Sequence, residues 1–145
     1  AVAALAECSG PLVVISADTA ISMMAVNAKQ ELVGGVILPG PQLSLSALVK
    51  NTAQLPQIDL AAKAPASILG KSTSSCLQNG FVLGTASLLD GLAERFCAEL
   101  GPQTAFYATG NLPIPIRQAC CTPILYRETL ITDGLYRIWM KNKKG

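Results

Sequence analysis

The stretch Gly34-Gly35-Val36-Ile37-Leu38-Pro39-Gly40 ends a series of apolar segments and leads the chain into its first long helical pattern. Glycine inside a strand gives up backbone entropy and offers no side chain for packing, so two glycines ahead of Val36 need a physical reason. One interpretation is a β-bulge beside a tight turn. The alternative is that another group approaches the main chain closely here.

Two further apolar segments precede this stretch and set the fold class. Residues 12–16 are rich in β-branched side chains and predict a buried strand. Residues 20–26 predict a second strand, and after a polar turn at 27–30, residues 31–38 predict a third. Strands joined by such short connections favour an antiparallel meander.

Helices and strands alternate in the rest of the chain. The sequence predicts a helix ending before Pro56, a surface loop over 57–71, a long helix over 73–100, and then strands over 104–109 and 124–126 and a closing helix over 130–140. Three strands followed by alternating helices and strands is the order of one half of a ribonuclease-H-like fold, the unit duplicated in actin and the sugar kinases. The predicted class is therefore α/β and ribonuclease-H-like, with residues 1–145 as one domain.

Composition excludes several function classes. Half of the 145 residues are hydrophobic and 14% are charged, so part of the apolar surface is expected to meet a partner or a missing part of the same protein. Asp18, Lys29 and Glu31 interrupt the richest apolar region, which falls short of the ~18 residues of a membrane span. The net charge of +2 and the pI near 8.4 argue against nucleic acid as a partner.

The histidine and cysteine content narrows the chemistry. With no histidine, a Cys/His zinc site and a Ser-His-Asp triad are both excluded. The five cysteines form no Cys-x-x-Cys pair and are expected to be small buried hydrophobic side chains in a reducing cytoplasm. Residues 1–8 are strong helix formers without a capping residue, so we expect the sequence to begin inside a helix, as a fragment.

Four stretches, in order and with matching spacing, resemble the type III pantothenate kinases. The glycine stretch at 34–40 fits the family's Gly-Gly-x-Ile-x-Pro-Gly, and Thr52-Ala53-Gln54-Leu55-Pro56 fits the segment that follows it. Ile68-Leu69-Gly70-Lys71-Ser72-Thr73 fits an Ile-Gly-Lys-x-Thr element, and Ala108-Thr109-Gly110-Asn111-Leu112 fits an Ala-Thr-Gly-Gly-Leu turn. The chain therefore resembles the C-terminal half of such a kinase.

This resemblance implies phosphorylation of pantothenate by ATP, the first step of coenzyme A biosynthesis, with Mg²⁺ and a monovalent cation (K⁺ or NH₄⁺). It implies a pantothenate site built from Gly34, Gly35, Ile37, Pro39, Gly40 and Thr73, the last reaching the pantothenate of the other subunit. It implies a nucleotide site built from Asp18, Thr19, Ser22, Gly110 and Asn111. A homodimer through the long helix, around residues 77–96, is also expected, and Thr73 is in addition a candidate cap of that helix.

One phosphate motif departs from the family. Its Asp-x-Gly-Thr-Ala-x-Thr reads Ser16-Ala17-Asp18-Thr19-Ala20-Ile21-Ser22 here. The aspartate has become Ser16, which removes a ligand for the Mg²⁺ that offsets phosphate charge, and the glycine has become Asp18, which adds repulsion. In an extended chain Asp18 would face the same side as Ser16 and is a weak candidate to replace the lost carboxylate.

The family's first phosphate loop and its catalytic aspartate are expected upstream of Ala1, so the chain alone is predicted to be inactive. Three hypotheses follow: the C-terminal domain of a pantothenate kinase whose N-terminal half is absent from this chain; a catalytically degenerate homologue that acts as a binding or regulatory (transcriptional accessory) protein; or one half of an unrelated actin-like ATPase. The pantothenate motif argues against the third.

Overall fold

A single five-stranded sheet organises the computed structural model, which describes residues 1–143. Its strands lie in the order β3-β2-β1-β4-β5. Adjacent strands among the first three are antiparallel, and β4 and β5 are added parallel to β1. The predicted antiparallel meander is confirmed, and the fold is mixed α/β. The strands are β1 (Leu12–Ala17), β2 (Ala20–Val26), β3 (Leu32–Pro39), β4 (Ala105–Gly110) and β5 (Ile124–Tyr126).

The helices follow the prediction in order but not in every boundary. The long helix has the predicted bounds, whereas α2 ends before the predicted position and α4 was not predicted. The helix at the N-terminus also ends earlier than residue 8. The helices are α1 (Val2–Leu5), α2 (Pro41–Lys50), α3 (Thr73–Leu100), α4 (Ile114–Ala119) and α5 (Leu130–Lys143).

The main core lies between α3 and one face of the sheet. Helix α3 contributes Val82, Ala86, Leu89 and Ala93, whose spacing of three to four residues places them on one side of the helix. The spacing of apolar residues in the sequence predicts a face made of Leu77, Phe81, Leu88, Leu92 and Phe96. This prediction is partly wrong, because Leu88 is 43% exposed, whereas Phe81, Leu92 and Phe96 pack against the core.

The other face of the sheet is covered at one end by α1 and α5. Leu12, Val14, Val26 and Tyr107 are buried there in a second cluster that also contains Leu130 of α5. The same face carries polar residues toward the carboxyl end of β1, beyond this cluster. This second layer therefore covers only part of the face.

Two expectations about burial need correction. The segment 57–71 is not wholly a surface loop, because Leu60 is 1% exposed and belongs to the main core. All five cysteines are free thiols, but none is buried as expected: Cys76 and Cys121 are exposed, and Cys8, Cys97 and Cys120 are half-buried. Within residues 1–143, no helix has the length and apolar character needed to cross a membrane.

Candidate functional site

Three of the predicted site segments meet at one end of the sheet. Asp18 and Thr19 form the turn between β1 and β2, and Gly40 follows the end of β3. The Gly40 amide donates a hydrogen bond to the Thr19 carbonyl at 2.9 Å, and the Asn111 amide, just beyond β4, donates to the carbonyl of Ala17. The β1–β2 turn therefore lies between the exit of the glycine stretch and the end of β4.

Two glycines fit against this backbone only because they lack side chains. A Cβ on Gly40 would lie 2.5 Å from the Asp18 carbonyl oxygen and 2.8 Å from that of Thr19. Gly110 has a φ of +87°, in the left-handed region that favours glycine, and a Cβ there would contact the Ala17 carbonyl oxygen. Both glycines are therefore required by the packing of the protein's own main chain.

The bulge interpretation of the glycine stretch is confirmed. Gly34 pairs with Ala25, whereas Leu32 pairs with Val26, so Val33 is the extra residue on β3. Gly34 has a φ of +140°, which a residue with a side chain rarely adopts. The first glycine is therefore explained by the bulge itself.

The close approach expected at the second glycine comes from the neighbouring strand. A Cβ on Gly35 would contact the Met23 carbonyl oxygen and lie 2.8 Å from the Met24 sulfur. At about 3.3 Å per residue, Gly35 lies ~13 Å along β3 from Pro39. Of the glycine stretch, only its exit reaches the sheet end where the turn residues meet.

Four residues lie in one row across the sheet, on the face opposite α3. Ser16 pairs with Ser22 and with Thr109, and Ser22 pairs with Ile37. Paired residues share a face, and the chain neighbours of Ser16 belong to the main core on the other side. Thr109 is buried, Ser16 and Ser22 are half-buried, and Ile37 is 76% exposed. The row brings Ser22, predicted to bind nucleotide, beside Ile37, predicted to bind pantothenate.

The segment 68–73, which carries Thr73, leads into α3 and is held there by hydrogen bonds. The N-cap is Ser72, not Thr73: the Ser72 hydroxyl accepts from the Ser75 amide, and the Ser75 hydroxyl accepts from the Ser72 amide at 2.9 Å. The buried Asn79 side chain donates to the Ser67 carbonyl at 2.8 Å and ties down the preceding loop. Thr73 does not cap the helix and is exposed on its first turn.

Within one chain, Thr73 stands apart from the sheet end. The exit of β3 lines a groove of about 220 Å³ together with Gly80, Phe81 and Leu88 of α3. Gly80 is seven residues from Thr73, or ~10 Å along a helix axis. The structure of the single chain therefore brings together the turn residues and Pro39, but not Thr73.

Comparison with known proteins decides the family. The family model described as type III pantothenate kinase matches residues 1–95. The chain belongs to the type III pantothenate kinase family. Among curated type III pantothenate kinases, that of Koribacter versatilis is 38% identical over 99% of this chain and 52% of its own length, and that of Exiguobacterium sibiricum is 35% identical over 99% and 55%. The chain spans about half the length of these relatives.

A solved structure adds a likeness of fold. A protein from Campylobacter jejuni, described as a Baf family transcriptional activator, matches with a TM-score of 0.67. The match covers 99% of this chain and 63% of that protein, at 20% sequence identity. The type III pantothenate kinase family itself implies the use of ATP.

The phosphate motif of this chain carries few of the ligands that Mg²⁺ prefers. Strand β1 ends at Ala17, so Asp18 lies in an exposed turn and not in the extended backbone that would place it on the Ser16 face. Among residues 1–143, no group of three or more His, Cys, Asp or Glu side chains is placed to hold a metal ion. Mg²⁺ prefers carboxylates and other oxygens at near-octahedral positions. With the carboxylate of Asp18 in the exposed turn and only the hydroxyls of Ser16 and Ser22 on the sheet face, the motif does not supply such a set.

Two side chains that the sequence did not single out support the turn at Gly110 and Asn111, Tyr126 by direct contact and Arg117 through Tyr126. The Tyr126 hydroxyl donates to the Gly110 carbonyl at 2.6 Å, and the Arg117 guanidinium lies 3.9 Å from the centre of the Tyr126 ring. Arg117 belongs to α4, the helix that was not predicted. Because these contacts join residues up to sixteen positions apart, no local pattern in the sequence indicates them.

A third residue that the sequence did not single out, Asp90, holds the loop that follows α4. The Asp90 carboxylate on α3 accepts hydrogen bonds from the Cys121 and Thr122 amides at 2.8 and 2.9 Å. Burial raises the pKa of Asp90, but these hydrogen bonds outweigh it, and the net pKa lies below the ordinary value. The neighbouring Cys120 is held as a thiol, because burial, with Asp90 and Cys121 nearby, raises its pKa to about 12. Little of the nucleophilic thiolate form is therefore expected at this cysteine near neutral pH.

Proposed function

We propose that this chain is the C-terminal, ribonuclease-H-like domain of a type III pantothenate kinase-like protein. It supplies the pantothenate-facing and adenosine-facing surfaces of the site at the carboxyl end of β1. The observation that carries this proposal is the convergence of the β1–β2 turn, the exit of β3 and the end of β4, joined through the Gly40 and Asn111 amides. Open sheets with parallel strands bind ligands at such an end.

The two sides of the proposed site are not equally preserved. On the acceptor side, Pro39 fixes the backbone at the exit of β3, and Ile37 offers an exposed aliphatic surface to the chain of pantothenate. On the phosphate side, Ser16 stands where the family has a carboxylate and Asp18 adds a negative charge next to the expected triphosphate. A pantothenate-like ligand is therefore favoured over MgATP.

The second candidate function is that of a binding or regulatory protein without kinase activity. The same two residues favour it, because Ser16 and Asp18 remove metal binding while the rest of the sheet end is kept. Under this hypothesis the upstream half would lack the first phosphate loop and the catalytic aspartate. Reading the open reading frame upstream of Ala1 for Asp-x-Gly-Asn-Thr and Gly-x-Asp-Arg separates the two candidates.

A homodimer through α3 is the proposed assembly. From Thr73 to Ala93 the helix carries one charged residue, Asp90, and its carboxylate is already bound by two amides. Gly80 and Gly84 are exposed, with open space around an added Cβ, so a second helix can approach closely. In such a dimer Thr73 faces the pantothenate site of the other copy, as the family resemblance implies.

The remaining half of the protein is the proposed partner of the α1–α5 face. Helix α5 exposes a set of large apolar side chains, and a groove of about 630 Å³ runs between it and α1. Several exposed large apolar side chains on one helix are a feature of interaction surfaces. The chain spans about half of its relatives' length, which supplies a fitting occupant. The exposed side chains are Ile131, Leu135, Tyr136, Ile138 and Trp139.

Calorimetry on the purified chain and one double variant tests the proposal. We expect weak or absent MgATP binding by the unmodified chain, and at least tenfold tighter binding, about 1.4 kcal/mol, after Ser16→Asp and Asp18→Gly. Tight MgATP binding by the unmodified chain would refute the claim that the phosphate side has lost its function. Free thiols at all five cysteines fit the reducing cytoplasm as the proposed compartment.

A further inference from the structure

The peptide group between Gly110 and Asn111 is held at both of its polar ends. The carbonyl of Gly110 accepts from the Tyr126 hydroxyl at 2.6 Å, a short O–H···O hydrogen bond. The amide of Asn111, the other end of the same peptide group, donates to the carbonyl of Ala17. The plane of this peptide group is therefore fixed between β1 and β5.

The main chain holds only one end of this peptide group. Gly110 lies at a φ of +87°, where glycine is free to move between conformations because it has no side chain. Both Gly110 and Asn111 are exposed, so burial does not restrain them. The hydrogen bonds to the Tyr126 hydroxyl and to the Ala17 carbonyl restrain the peptide group instead.

Tyr126 is in turn held by its own neighbours. Its main chain pairs with Ala108 in the β4–β5 ladder, and the Arg117 guanidinium covers the face of its ring at 3.9 Å. The Nε of Arg117 is buried and has no hydrogen-bond partner among the described residues, and Arg117 forms no salt bridge there. The contact with the tyrosine ring is thus the main polar restraint on this guanidinium.

We propose that Tyr126 is a positioning residue for the adenosine-facing turn, with Arg117 holding its ring in place. The inference rests on the proposed function, because it assumes that Gly110 and Asn111 meet a nucleoside. A turn held in one orientation loses less conformational freedom when a ligand binds, so its affinity is higher. Tyr126 acts through Gly110 and contacts no ligand itself.

The test uses adenosine, which carries no phosphate and so does not depend on the altered phosphate motif. The purified ¹⁵N-labelled chain is titrated with adenosine, and separately with pantothenate, while amide chemical shifts are followed by NMR. Tyr126→Phe removes the hydroxyl but keeps the ring for Arg117. We expect adenosine to shift the Gly110 and Asn111 amides, and Tyr126→Phe to raise the adenosine Kd at least fivefold with the pantothenate Kd unchanged.

Two further variants sharpen the test. Tyr136→Phe, on the exposed side of α5, is the matched control and should leave both affinities unchanged. Arg117→Met removes the cation from the ring and should raise the adenosine Kd alone, whereas Arg117→Lys should restore part of the lost affinity. Faster hydrogen exchange at the Asn111 amide in Tyr126→Phe is expected in the free chain.

The outcomes separate the two proposals. Equal adenosine affinity in the unmodified chain and Tyr126→Phe overturns the positioning role but leaves the proposed function standing. A parallel loss of adenosine and pantothenate affinity means general damage to the fold and also overturns it. If adenosine does not bind the unmodified chain while pantothenate does, the adenosine-facing part of the proposed function fails, and this inference fails with it.

Discussion

Replacing Gly40 by alanine tests the argument that the protein's own main chain requires this glycine. The backbone at Gly40 has φ −67° and ψ 156°, which alanine adopts without strain. The whole effect must therefore come from the new Cβ, placed 2.5 Å from the Asp18 carbonyl oxygen and 2.8 Å from that of Thr19. These are main-chain atoms of a short turn, so they cannot move aside as a flexible side chain would.

The expected cost is the sum of two effects. Overpacking at a tight contact destabilises a protein by about 1–3 kcal/mol. Displacing the turn also weakens the hydrogen bond from the Gly40 amide to the Thr19 carbonyl, worth about 1 kcal/mol. Gly40→Ala should therefore lower the free energy of unfolding by about 2–4 kcal/mol. For a chain of this length that corresponds to a fall in Tm of roughly 6–15 °C.

Urea denaturation and thermal unfolding followed by circular dichroism measure this change. Gly91→Ala is the matched control, because Gly91 lies inside α3 with nothing within 4 Å of an added Cβ. Alanine is the better helix former, so the control should be stabilised by up to about 1 kcal/mol. If Gly40→Ala unfolds at the same urea concentration as the unmodified chain, the contact does not constrain the site and the reasoning is wrong.

Three other predictions follow from the structure. The pKa of Asp90 in the folded chain lies below its ordinary value of 3.8, so its ionised carboxylate stabilises the fold above that pH, and this stability is lost as pH falls through the folded pKa. Asp90→Asn should therefore flatten the fall in Tm between pH 6 and 3. An unchanged profile of Tm against pH would contradict this. An aromatic disulfide reagent at pH 8 should label the exposed Cys76 and Cys121 first and Cys120 last. Cys120→Ser should leave the fast labelling of the two exposed cysteines unchanged. Rapid labelling of Cys120 would contradict its raised pKa. Gly84→Arg should convert the proposed dimer to a monomer in light scattering, and a monomeric parent chain, measured with the N-terminal half restored, would count against the α3 interface.

Much of the fold could be predicted because its signals are local. The bounds of α3 follow from hydroxyl residues at its start and Gly101-Pro102 after its end. The meander follows from apolar segments separated by short polar turns. Helix α4 was missed because two prolines, Pro113 and Pro115, stand at its start, and a helix of six residues carries little periodicity.

The details of the site could not be predicted, because they depend on residues far apart in the chain. The contact of Gly40 with Thr19 joins residues at the two ends of a hairpin, and Asp90 meets Cys121 across thirty-one positions. The capping of α3 shows a smaller difficulty of the same kind. Ser72 and Thr73 are both favourable caps by type, and the hydrogen bonds between Ser72 and Ser75 show which of them caps the helix.

The central claim is that the acceptor side of the site is kept while the phosphate side has lost its function. The most direct test is calorimetric titration of the unmodified chain with pantothenate and with MgATP, under reducing conditions and on the same sample. We expect measurable pantothenate binding and MgATP binding at least tenfold weaker. Tight MgATP binding without detectable pantothenate binding would contradict it.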